Sequence, residues 1–192
     1  KIVTTKNLEY QNEISLLTKL AGYYHQIDTK KFYTLNSAIY TLAKKYNYNQ
    51  GFGFYYQNLA DRMIYDTKYR NAEILAVKAK DYFIKSRDTE NEIRSVYAIC
   101  SSLEFQNKNK QAIELATSFL KNNDYKSDSK QIANLYYILA GLYNANEMAY
   151  TAFNYINKAA AKKKKNKMIN GEYKCNYEIA RICYSNSMYQ KA

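Results

Sequence analysis

Alanines 72, 112, 152 and 192 recur at a spacing of 40 residues. A period of that length marks a supersecondary unit that cannot bury its apolar face alone and must stack on its neighbours. Aligning the chain on these alanines brings other columns into agreement. Leu59, Ile99, Leu139 and Ile179 share one position, and Ala60, Cys100, Ala140 and Ala180 the next. Met63, Leu103, Tyr143 and Cys183 form a third, while Tyr56, Val96 and Tyr136 form a fourth that Asn176 breaks. The units run 53–92, 93–132 and 133–172, followed by a truncated unit 173–192. Extended backwards, the frame gives a weaker unit at 13–52. There Leu16, Leu20 and Tyr23 fall in the first-helix columns, and Phe32, Leu35, Ile39 and Leu42 mark one face of a second helix. Residues 1–12 finish a preceding element or extend the first helix.

Each unit reads as two helices. The clearest has its first helix from about Lys130 to Asn146 and its second from about Ala149 to Lys164. Asn-rich joints at Asn107–Asn109, Asn122–Asp124 and Asn144–Asn146 separate helices, since Asn tolerates the left-handed backbone that ends one. The chain has 5 Gly and no Pro in 192 residues, too few turn formers for a sandwich or barrel. At 47% apolar and 24% charged it can bury a core, yet no stretch approaches the ~18 apolar residues of a membrane span. The expected fold class is all-α.

The run Tyr136, Leu139-Ala140, Tyr143, Ala152 and Ile156 resembles the tetratricopeptide repeat pattern of an aromatic, Leu-Gly, Tyr, Ala and a later aromatic. The resemblance covers residues 13–192 and is strongest over 53–172. It implies antiparallel helix pairs, about nine helices in all, stacked into a right-handed superhelix, an α-solenoid, as a single array over 1–192. Small residues at Ala140 and Ala152 suit the close crossing of the two helices of a unit, and Ala79 and Ala159 the next contact. The closing proline of the family is absent, and the unit exceeds the usual ~34 residues. In this it is similar to the longer repeats of bacterial sensor kinases, helix-turn-helix regulators and peptide-pheromone receptors. HEAT repeats have a comparable length, but the paired small residues favour the tetratricopeptide reading. The chain stops at Ala192, where a second helix should begin, so a fragment of a larger protein is expected. The resemblance points either to the extracytoplasmic part of a membrane-anchored regulator or to a cytoplasmic one.

In such arrays the first helices line a concave groove. The frame then places Tyr97, Tyr137 and Tyr177 in one groove column, preceded by Gln57. Beside it run Phe54, Arg94, Asn134 and Lys174, then Asp61, Ser101, Gly141 and Arg181. Further columns hold Tyr65, Phe105, Ala145 and Ser185, and Ile64, Glu104, Asn144 and Tyr184, with Tyr24 and His25 at the equivalent place in the first unit. Tyrosine gives a peptide-binding wall large area at small entropic cost and a hydroxyl for a backbone amide. Arg94, Lys174 and Arg181 are candidates to take a carboxylate.

Little else in the chain suggests chemistry. A single histidine and three dispersed cysteines offer no recognisable metal motif, and no cofactor is expected. Cys100 and Cys183 fall in helix-crossing columns, and Cys175 reads as semi-buried. No glycine-rich phosphate loop, nucleophile elbow or suggestive acid pair stands out, so no catalytic residue is assigned. The run Lys162–Lys165, followed by Lys167, reads as the solvated end of a second helix. The expected function is a non-enzymatic module that binds a protein or peptide, with a net charge of +12 favouring acidic partners. Nucleic-acid binding through the basic surface and self-association are the alternatives.

Overall fold

The computed structural model describes residues 2–122 and 129–186, with side chains from residue 9 onward. The described residues form nine helices and no strand: α1 (Ile2–Tyr24), α2 (Thr29–Lys45), α3 (Asn49–Tyr65), α4 (Tyr69–Lys85), α5 (Thr89–Phe105), α6 (Asn109–Asn122), α7 (Lys130–Ala145), α8 (Ala149–Lys165) and α9 (Ile169–Ser185). The expected boundaries of α7 and α8 lie within one residue of those observed. Two compact units divide the chain, Lys1–Ala98 and Ile99–Ala192. In the first, α1 packs on α2, α2 on α3 and α3 on α4, and α1 also meets α3. In the second, α6, α7, α8 and α9 pack consecutively.

The backbone repeats at half the sequence period. Left-handed residues stand at Asn47, Thr67, Arg87 and Asn107, then at Glu147 and Lys167, a spacing of 20 along each run. At every one of these turns the same pair of hydrogen bonds closes the helix. Tyr48 N–H donates to the Ala43 carbonyl at 2.9 Å while Asn47 N–H donates to that of Lys44 at 3.4 Å. Lys68 and Met63, Asp88 and Phe83, Lys108 and Leu103, Met148 and Tyr143, and Met168 and Lys163 repeat the bond of Tyr48 to Ala43. This is the Schellman arrangement, which satisfies carbonyls that a helix end leaves orphaned. The residue that closes one helix opens the next: the Tyr48 carbonyl accepts from Phe52 N–H, and Lys68, Asp88, Lys108, Met148 and Met168 do the same four residues on.

Asparagine turns out to be dispensable at these joints. Among the described residues only Asn47 and Asn107 combine Asn with positive φ, and in the Asn144–Asn146 joint the left-handed residue is the following Glu147. A left-handed L-residue costs about 1–2 kcal/mol. Two turn hydrogen bonds and the docking of the helix end offset it. Residues 123 and 124 of the Asn122–Asp124 joint, and Ala192 of the repeat column, lie outside the described residues. The α1–α2 turn is built otherwise: Asp28 caps α2 by accepting from Lys31 N–H at 3.0 Å, with no positive φ.

Cores form where the small columns predicted close crossings. Ala140 and Ala152 are fully buried together with Ile156, Ala159, Cys175 and Ile182 in the second unit. Ile14, Ala21, Phe32 and Ile39 form the corresponding cluster in the first. Gly53 lets α3 and α4 meet, because a Cβ there would stand 2.6 Å from the Phe83 ring.

Candidate functional site

In the second unit, side chains of α5, α7, α8 and α9 converge around Tyr137. The Lys163 ammonium lies 4.7 Å from the centre of its ring, a cation–π contact. Burial raises the Tyr137 hydroxyl pKa, and the negative charge of Glu178 adds to the shift. Glu178, 6% exposed, is held by Arg181 through two hydrogen bonds, one of them from Nε at 2.9 Å. That hydrogen bonding is the main reason the Arg181 guanidinium is pushed above its ordinary range. Tyr137 and Tyr177 both lie near enough to Arg181 to add to that shift, which sets these three members of the expected groove in one neighbourhood. Glu104 comes close to the backbone of α7, its Oε1 3.5 Å from where a Cβ on Gly141 would be. Its pKa is raised by burial first and by Glu178 second, with Arg181 opposing.

The remaining expected groove residues of this unit are more peripheral. Tyr177 and Tyr184 are 72% and 77% exposed, and Lys174 is exposed. Asn134 is half-buried and donates to Gln131 Oε1 at 3.0 Å on its own helix.

In the first unit a polar ladder joins α3 to α5. Ser95 Oγ donates to Gln57 Oε1 at 2.7 Å, Gln57 Nε2 to Asp61 Oδ1 at 2.8 Å, and Arg94 Nη2 to Asp61 Oδ2 at 2.5 Å. Arg94, expected to await a ligand carboxylate, is thus already neutralised, as Arg181 is by Glu178. Of the three cations assigned that role, Lys174 alone shows no ion pair among the described residues. Tyr97 is half-buried on α5. His25 and Arg94 line a cavity of about 100 Å³ together with Gly22, Phe32, Asn58 and Asp61. A wider depression of about 400 Å³ opens over the α1–α2 turn beside Tyr24, Lys30 and Leu35.

Two readings of single residues change. Lys163 is 5% exposed rather than solvated, because it occupies the helix-end position that Ala43, Phe83 and Leu103 fill elsewhere; its stem covers Gly171. Burial lowers its pKa. Cys175 is fully buried rather than semi-buried. Sequence reasoning missed Asn58 and Glu178, although both interrupt a 40-residue column whose other members, Ala98 and Ile138, are apolar. A polar residue in a core column was the available signal.

The chain matches no protein-family model and no curated protein. No described helix is long and apolar enough to cross a membrane.

Proposed function

We propose that the chain is a non-enzymatic helical-repeat module of tetratricopeptide type, a right-handed solenoid that binds a peptide or protein segment along the faces of its first helices. The observation that carries this reading is the neighbourhood of Tyr137, Tyr177 and Arg181. Residues of α7 and α9 there offer aromatic area and hydrogen-bonding groups together, with Lys163 over the Tyr137 ring, Arg181 on Glu178 and Tyr177 exposed. Tyrosines of this kind bury large area in a partner at low entropic cost. The neutralised Arg94 and Arg181 act as directional donors more than as free charges. Preference for acidic segments then comes from Lys174 and from the overall charge of +12. By resemblance, the module serves as the sensing or scaffolding region of a bacterial signalling protein.

The test is to screen a peptide library against the wild type and a Tyr97→Ala/Tyr137→Ala/Tyr177→Ala variant whose helicity is checked by circular dichroism. Hits are expected to lose at least about tenfold in affinity, the lower end for a few truncated aromatic anchors. Unchanged affinity refutes the groove. A steep fall of affinity with salt, and competition by nucleic acid, would favour phosphate binding instead.

A further inference from the structure

The cavity between α1, α2, α3 and α5 in the first unit has a chemistry of its own. Its volume of about 100 Å³ is roughly three times the ~30 Å³ share of one water, room for a group of three or four heavy atoms. The orientation of Asn58 in its wall is fixed by a chain of donors. Asn36 must turn its Nδ2 to the Tyr55 carbonyl, 3.2 Å away, because that oxygen can only accept. Asn36 Oδ1 therefore faces Asn58 and accepts from its Nδ2 at 3.0 Å. Asn58 is left with its Oδ1 unpartnered among the described residues, although the residue is only 4% exposed. Asn58 lines the cavity, so a group entering it is matched to that open acceptor by bringing a donor.

His25 is fixed by the same logic. Its Nδ1 lies 2.7 Å from the Gly22 carbonyl, so Nδ1 carries the proton and Nε2 of the neutral ring is an acceptor. Arg94 spends one nitrogen on Asp61 and keeps further N–H groups, while both Asp61 oxygens are already taken. The wall thus presents two acceptors and a guanidinium donor, with its one carboxylate and one guanidinium cancelling in charge.

We infer that this cavity receives a primary carboxamide, the end of an Asn or Gln side chain. Such a group brings two N–H donors for Asn58 Oδ1 and His25 Nε2 and one carbonyl for Arg94. A carboxylate would supply no donor and would face Asp61. An ammonium would supply no acceptor and would face Arg94. The source of the amide, a bound peptide, rests on the function proposed above, whereas the pocket chemistry does not.

Two measurements keep these apart. Acetamide and acetate are titrated separately into the full chain while the amide and side-chain resonances of His25, Asn58 and Arg94 are followed by NMR. Acetamide is expected to shift them saturably and acetate not. Gly22→Leu adds a side chain at the cavity wall, where a Cβ meets nothing within 4 Å, and is expected to weaken acetamide by about tenfold or more. Shifts with acetate instead, with neither fragment, or with acetamide undiminished in a folded Gly22→Leu variant would overturn the inference. Among library peptides, a hit that uses the cavity should lose roughly tenfold to a hundredfold when its Gln is changed to Glu. Acetamide binding without any peptide hit would sink the peptide reading and leave the cavity assignment standing.

Discussion

Gly53 and Gly22 are both helical glycines, and replacing either by alanine gains up to about 1 kcal/mol of helix propensity. Their surroundings give that change opposite signs. At Gly53 the new methyl meets the fully buried Phe83 ring at 2.6–2.9 Å, and overpacking of this kind costs about 1–3 kcal/mol. At Gly22 nothing lies within 4 Å. Denaturant midpoints are therefore expected to fall for Gly53→Ala and to rise for Gly22→Ala; a rise in both would mean that α3 and α4 do not approach as described. Glu104 provides a pH test. Burial and Glu178 raise its pKa, so the folded chain holds the proton more tightly than the unfolded one. The stability that proton brings is fully present below the unfolded value and is lost as pH rises through the folded one. Glu104→Gln keeps the neutral form at all pH. It should be more stable than the wild type at pH 7.5, with the gap closing below about pH 4.5, as urea titrations at the two ends would show.

At the scale of the helix and its turn, the 20-residue spacing of left-handed residues governs the architecture. Among them Thr67, with φ 59°, is β-branched and pays the largest steric penalty. Thr67→Gly relieves it without touching the Lys68 N–H to Met63 carbonyl bond of 2.8 Å. A gain of about 1 kcal/mol is expected from the relieved strain, seen as a higher melting temperature. Thr67→Ala, still an L-residue, should gain clearly less. Equal effects would show that the turn does not hold this conformation in solution. The sequence allowed the pairing of helices to be read from its period, but not which residue of each joint would turn left-handed. Asn tolerance suggested one answer, and the hydrogen bonds to the preceding helix end imposed another at Thr67, Arg87, Glu147 and Lys167.

At the scale of the whole molecule, all three cysteines lie in the second of the two compact units, and each is buried. Burial pushes the Cys100 thiol up to about 12, so almost none is thiolate at neutral pH. Burial raises the Cys175 thiol as well. Thiolate is the reactive form, and it must also be reached. Labelling by a thiol-specific disulfide reagent is expected to be negligible under native conditions and to report the opening of Ile99–Ala192, with Lys1–Ala98 silent. Fast native labelling of any one cysteine would contradict the packing of its helix.

The 40-residue columns by themselves determined the helical class, the pairing of helices and the small residues at their crossings, because periodic burial writes itself into periodic composition. Ala140 and Ala152 lie where their columns put them, fully buried. Charge was another matter. A column can say that Arg94, Arg181 and Lys163 occupy particular faces, but whether a cation is free depends on residues 3 to 33 positions away. Asp61 neutralises the first, Glu178 the second, and the Tyr137 ring receives the third. The Asn58 acceptor likewise became visible only through Asn36 and the Tyr55 carbonyl, on two different helices. Hydrogen bonds and ion pairs form between atoms brought within about 3 Å, a distance that tertiary packing sets and repeat periodicity does not.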